Sequence, residues 1–272
     1  MVIRMKASFV SVVILSVALV RSGRAAPAET PQPRIDPQAV SALERMGNFL
    51  RSQRAMVVNA ETATDEVLDS GQKIQRNGVA VLKVSRPDRL RAEVNSDRTN
   101  EQLFYDGKTF TIYQPQLGYY GSFDAPPTLA QLVDVAEQRY GIDMPLADLF
   151  TWGTERSQVA ALKGAINVGP SMVKGVQCDH YAFHQADVDW QVWIQQGPQP
   201  LPRKMVITTT TEKSRPQHSA VLSWDLAPRL DESMFTFTPP ATAHRIDFDV
   251  ARENASLPRQ GRAPSHGQNP NR

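Results

Sequence analysis

Cys178, His180 and His184 stand at even spacings in the run VQCDHYAFHQADVDWQVWIQQGPQPLPRKMVITTTT (176–211), with Asp187 and Asp189 close behind. On a straight strand, residues two apart share a face, so this pattern places a thiol and two imidazoles on one side. Thiolate, imidazole and carboxylate are the ligands zinc and copper favour. At roughly 3.3 Å per residue, however, Cys178 and His184 lie about 20 Å apart and cannot share an ion. Only Cys178 with His180, or His184 with an aspartate, can pair. The set reads as a small buried cysteine and polar edge histidines, with no metal and no cofactor expected. Nucleophilic chemistry finds less support. The chain has no Gly-x-Ser-x-Gly elbow, no His-Glu-x-x-His and no phosphate-binding glycine loop. Nothing in the sequence brings a base to Cys178, and two aspartates around a turn are ordinary turn chemistry. The chain is expected not to be an enzyme.

The remaining chemistry is apolar. A site for a hydrophobic ligand needs shape and apolar walls rather than reactive groups, because binding removes apolar area from water at roughly 25 cal/mol per Å². Leu129, Leu132, Val133, Leu146 and Phe150 fall on helical patterns, and Trp190, Val192 and Ile194 alternate along a strand. These eight are the candidate ligand-binding residues. Apolar stripes at these spacings are also what an ordinary filled core presents.

The elements that must position them can be read in order. Asp36-Pro37 supplies an N-cap and a first-turn proline. Val40, Leu43, Met46, Phe49 and Leu50 then recur at helical spacing, predicting an amphipathic helix that ends near Arg54. From Met56 the period becomes two. Strands are expected near Val57–Leu68, Lys73–Ser85, Arg89–Asn95, Glu101–Tyr105, Lys108–Gln114 and Leu117–Phe123. Asp106-Gly107 has the composition of a tight type I′ hairpin turn. Thr128 with Gln131 forms a capping box, Leu129 to Tyr140 an apolar helical face, and Gly141 its stop. A second short helix is expected from about Pro145 to Phe150. Strand patterning resumes near Gln158, passes through the three strands of the run above and through Gln217–Leu226, and ends in a short strand over Met234–Phe237. Ile246, Phe248 and Val250 close the domain.

Composition bounds the rest. The chain has 272 residues, 41% of them hydrophobic, a net charge of +2 and a single cysteine. An ordinary apolar core must therefore hold it, with no internal disulfide, and the charge is too small to imply nucleic acid. Arg4 and Lys6 precede an apolar run from Ala7 to Val20, and Gly23-Arg24-Ala25 offers a small-x-small cleavage site. This is the layout of a signal peptide over residues 1–25, cleaved near Ala25. Residues 26–36 form a Pro-rich linker, 37–250 a single domain, and 251–272 a basic tail too poor in apolar residues to fold.

Three stretches resemble the periplasmic outer-membrane lipoprotein-carrier fold (LolA/LolB-like), in a branch of exported proteins related to it. They are Arg86-Pro87-Asp88-Arg89-Leu90-Arg91, the hairpin from Tyr105-Asp106-Gly107-Lys108-Thr109 to Tyr113, and the closing run Leu230 to Pro240 with Phe235-Thr236-Phe237 at its centre. They follow the family's order and span about Pro37 to Phe248. The resemblance implies an α+β, mainly β fold: a curved antiparallel half-barrel sheet with helices covering its concave face. It also implies a periplasmic, non-catalytic binding or carrier protein for an acyl chain, lipid or lipidated protein, held between the sheet and a helical lid. The alternative is a periplasmic sensor or adaptor docking an envelope protein without cargo, through aromatics such as Tyr113, Tyr119, Tyr120 and Phe123. A monomer is expected in either case. Mass spectrometry of the exported chain should give a mature N-terminus at Ala26; retention of residues 1–25 would refute the leader assignment.

Overall fold

The period-two pattern that begins at Met56 becomes a long antiparallel meander. A computed structural model describes residues 34–152 and 159–248, all of them within one compact unit. The expected leader, most of the linker, Gln158, Val250 and the basic tail lie outside the described residues. Among the described residues twelve strands form one open sheet: β1 (Ala55–Val67), β2 (Lys73–Ser85), β3 (Arg89–Ser96), β4 (Asn100–Tyr105), β5 (Thr109–Gln114), β6 (Tyr119–Asp124), β7 (Gly164–Val173), β8 (Val176–His184), β9 (Val188–Gln195), β10 (Pro202–Thr209), β11 (Gln217–Asp225) and β12 (His244–Arg245). Their order is β12-β6-β5-β4-β3-β2-β1-β11-β10-β9-β8-β7. All pairings are antiparallel except the short parallel one between β12 and β6. The first six strands thus form one wing and β7 to β11 the other, joined where β1 pairs β11, with Val57 opposite Asp225 and Thr64 opposite His218.

One face of this sheet carries the core. Along β1 and β2, Met56, Val58, Ala60, Ala80, Leu82 and Val84 are buried at alternate positions, as strand geometry requires. Helix α1 (Pro37–Ser52) lays Ala39, Leu43, Met46 and Leu50 against it, leaving Val40 and Phe49 half-buried on the flanks. Asp36 starts the helix by accepting the Gln38 N–H at 2.8 Å, and the Asp36 N–H itself donates to the Ala165 carbonyl of β7. The helical insert between the wings contains α2 (Leu129–Tyr140) and the short α3 (Asp148–Thr151). Thr128 caps α2, accepting from the Gln131 N–H at 3.3 Å, and Gly141 ends it in the left-handed region at φ 64°. Both helices bury their apolar residues in the same cluster as α1. The architecture is therefore α+β and mainly β, an open curved sheet with its helices on one face.

Local expectations fail where a short-range signal has two readings. Met234–Phe237 is not a strand. Asp231 accepts from the Ser233 N–H at 2.9 Å and starts a 3-10 turn over Glu232–Phe235. The two phenylalanines fill the opposite face of the sheet, where Phe237 packs at 5.1 Å from Phe104 and Tyr120 and 5.3 Å from Tyr113. Val159–Ala161 is likewise a 3-10 turn, and strand β7 starts only at Gly164. The short helix α3 begins at Asp148 rather than near Pro145. In the β4–β5 hairpin Gly107 takes a positive φ of 87° and Asp106 does not. The Asp106 carboxylate accepts the N–H groups of Lys108 and Thr109 instead, so the central pair of the turn is Gly107-Lys108, not Asp106-Gly107. The expected aromatic cluster is also divided. Tyr113 and Tyr120 lie on the opposite face with Phe237, whereas Phe123 stacks on Tyr140 at 4.1 Å on the core side.

Leu50→Ala, which opens a void beneath α1, is expected to cost about 2–5 kcal/mol. Val79→Ala, at a position 49% exposed, should stay within about 0.5 kcal/mol. Urea denaturation of both variants checks the assignment of the core face; equal losses would contradict it.

Candidate functional site

The helical insert does not close completely on the sheet. Between α2, α3 and strands β9 and β10 lies a cavity of about 410 Å³. Alternation explains its floor. Val188 and Trp190 of β9 point to the core side, and Trp190 pairs with Ile207 of β10 while Val192 pairs with Met205. Val188, Trp190, Met205 and Ile207 all line the cavity. Trp190 is held flat by stacking on Phe183 of β8 at 4.1 Å, which leaves one face of the indole for the cavity. Val133 and Glu137, one helical turn apart on α2, form part of the roof, and among the described residues Ala147, Asp148, Thr151 and Trp152 add to it. Gln185, in the β8–β9 turn, sits at the rim.

The eight sequence candidates separate by depth. Val133 and Trp190 line the cavity. Leu129, Leu132, Phe150, Val192 and Ile194 are buried in the core cluster beside it, and Leu146 packs half-buried against that cluster. Leu129, Leu132 and Ala136 form the centre of the α2 stripe, and a residue at the centre of a stripe faces the packed core, whereas one at its edge reaches the gap. Missed in sequence were Ala147, Trp152, Val188, Met205 and Ile207. For Val188, Met205 and Ile207 a signal was present: period-two continuation from Trp190 and the hairpin across Pro200. For Ala147 and Trp152 there was none, because α3 is too short to show a period.

Two carboxylates interrupt these walls. Glu137 lies toward solvent, whereas Asp148 is half-buried, with its accessible side on the cavity. Burial, reinforced by the negative charge of Glu137, raises the Asp148 carboxyl above the usual aspartate range.

The candidate metal residues lie elsewhere. Cys178 and His180 share the strand face opposite Tyr181 and Phe183, with His180 stacked on Trp193 at 3.9 Å. Burial pushes the Cys178 thiol up and the His180 imidazole down. His184 pairs with Asp189 at 2.6 Å, and Asp189 also accepts from Arg215 at 2.6 Å. Among the described residues no group of three or more His, Cys, Asp or Glu is arranged to hold a metal.

With this geometry in place the chain can be compared with known proteins. Residues 39–249 match the family model described as "Predicted periplasmic protein (DUF2092)". The chain belongs to this family. No curated protein matches the DUF2092 chain in sequence. Among solved structures it is similar to LprF from Mycobacterium bovis, at 15% identity and a TM-score of 0.44, covering 78% of this chain and 100% of that one. It is similar to the lipoprotein LppX from Mycobacterium tuberculosis at 10% identity and a TM-score of 0.40, covering 72% and 100% of the two chains. For a LolA superfamily protein from Nitrosomonas europaea the figures are 11%, 0.36, 73% and 97%.

The Asp148 environment makes a stability prediction. A carboxyl whose folded pKa is raised leaves stability intact below its unfolded pKa and lowers it progressively as pH rises from there through the folded value. Asp148→Asn should therefore raise the melting temperature at pH 7, with the gain shrinking as pH falls toward the unfolded aspartate value of about 3.9. Thermal melts across pH 3–8 test this; a variant no more stable than the parent at pH 7 contradicts the assigned burial.

Proposed function

We propose that this DUF2092 protein is a periplasmic, non-catalytic binding or carrier protein for a hydrophobic ligand: an acyl chain, a lipid or the lipid anchor of a protein. The observation that supports the reading is the cavity itself. Its volume, about 410 Å³, falls in the range of about 300–1,000 Å³ usual for small-molecule sites. Its walls are chiefly apolar, from Val133, Ala147, Trp152, Val188, Trp190, Met205 and Ile207. A stretch of six methylenes moved from water into such walls gains about 5 kcal/mol, at about 0.8 kcal/mol each. That is enough for reversible capture.

Exchange follows from the way the roof is built. The roof belongs to α2 and α3, an insert between β6 and β7, and the strands of the floor are hydrogen-bonded independently of it. Outward movement of the insert opens the cavity without breaking a strand pairing. A ligand drives that equilibrium only by the difference in its affinity for the two states.

A second reading, an adaptor that docks an envelope protein, is favoured by one observation. Ile166, Val168 and Met172 of the edge strand β7 are each more than half exposed, and beyond the Ile35–Ala165 bridge this edge with its apolar side chains invites pairing with another chain.

Native mass spectrometry of the exported protein, purified without detergent, should show a bound acyl species near one-to-one. Ala147→Trp, which fills the cavity from a half-buried roof position, should lower the affinity for an acyl probe at least tenfold while circular dichroism stays unchanged. A ligand-free mass that survives incubation with lipids and acylated peptides, together with co-purification of a protein partner lost on Ile166→Lys, would replace the carrier reading with the adaptor.

A further inference from the structure

A cavity made only for hydrocarbon has no use for ionisable groups, yet Glu137 and Asp148 both line this one. We propose that the cavity selects its apolar occupant by head-group charge, accepting an amine or other cationic head against Asp148 and Glu137 and rejecting a carboxylate. This rests on the hydrophobic-ligand reading above and narrows it to a class of amphiphile.

Three observations carry the inference. First, the half-buried Asp148 carboxyl opens on the cavity and receives no hydrogen bond from any described residue. A partly desolvated carboxyl without a protein partner carries a cost that a cation in the cavity removes by pairing with it. Second, the described lining contains no lysine, arginine or histidine. An anionic head would meet two carboxylates and, among the described lining residues, no counter-charge, which opposes its entry. Third, Trp152 and Trp190 line the same space. Indole faces attract cations and make apolar contact with a chain, so they suit a molecule carrying both. The overall net charge of +2 would favour anions, so a preference for cations must arise locally.

The test is displacement of an environment-sensitive fluorescent probe from the exported full-length chain, at pH 7 and below micellar concentrations. Decylamine, decanoate and decanol share one chain length and differ in head charge. Decylamine should bind at least tenfold more tightly than decanoate. Asp148→Asn and Glu137→Gln should each reduce that ratio at least threefold, and Asp97→Asn, a charge change in the remote β3–β4 turn, should leave it unaltered. Equal binding of all three compounds overturns the charge selection and leaves the hydrophobic-ligand reading standing. Failure of all three to bind overturns both. Decanoate binding as tightly as decylamine, a ratio insensitive to both cavity variants, or an equal change in Asp97→Asn, overturns the selection alone.

Discussion

Burial of the sheet's inner face governs the rest of this protein. Twelve strands in one open sheet present a broad apolar surface, from Met56 and Val58 in the centre to Trp190 and Val192 in one wing and Phe110 and Phe123 in the other. Sheet against water on that side would forfeit most of the folding energy, since apolar burial is the dominant favourable term. With a single cysteine the chain has no disulfide to compensate. The helices are the answer to this requirement. Helix α1 covers part of the face with Leu43, Met46 and Leu50, and the insert carrying α2 and α3 covers more.

The cavity follows from how unevenly that cover is built. Helix α1 is sixteen residues long and α3 only four. Where a long amphipathic helix meets the sheet, its stripe packs side chain to side chain. Where a four-residue helix stands in, the roof is assembled from the edge of α2 and from Ala147, Asp148, Thr151 and Trp152, and it leaves a gap above Trp190 and Ile207. The small side chain of Ala147 leaves space unfilled, and the charged Asp148 beside it lines the gap. Space and accessibility thus come from the same local weakness in the cover, which joins the fold to the proposed binding.

The opposite face is handled by a different device. Over strands β4 to β6 it is covered by the C-terminal segment, whose Phe237 sits among Phe104, Tyr113 and Tyr120. The segment continues to β12, which pairs beside β6, and on to Phe248, which packs edge-on against Phe123 at 5.8 Å. Gly121 makes room for that ring: a Cβ there would lie 2.7 Å from Phe248. The segment thereby contacts both faces of one wing, whereas β7 at the far edge has no strand beyond it among the described residues. The two edges of the sheet are therefore unequal, one blunted by a short strand and the other met only at Ala165, by an isolated parallel bridge from Ile35 among the described residues.

Much of this was legible in the residues alone. Asp36-Pro37 and Thr128 with Gly141 bracket α1 and α2 because capping is local chemistry, decided within a few residues. The strands of the meander follow from alternation for the same reason. Signals failed where a short segment satisfies two patterns: Phe235 and Phe237 alternate like a strand but belong to a capped 3-10 turn and the chain after it. For the cavity, sequence identified Val133 and Trp190 but could not separate them from Leu132 and Val192, which share their stripes and lie in the filled core. That separation depends on what stands opposite each residue, a property of two elements at once. The partial burial of Asp148 against the cavity is of the same kind. In sequence it is one aspartate among many, and only the approach of a helix to strands some forty residues later partly covers it. The sequence by itself determined the elements, because caps, turns and periodicity act over a few residues. Only the tertiary structure decided where the cover is incomplete, because a gap is set by distances between elements that local propensity does not encode.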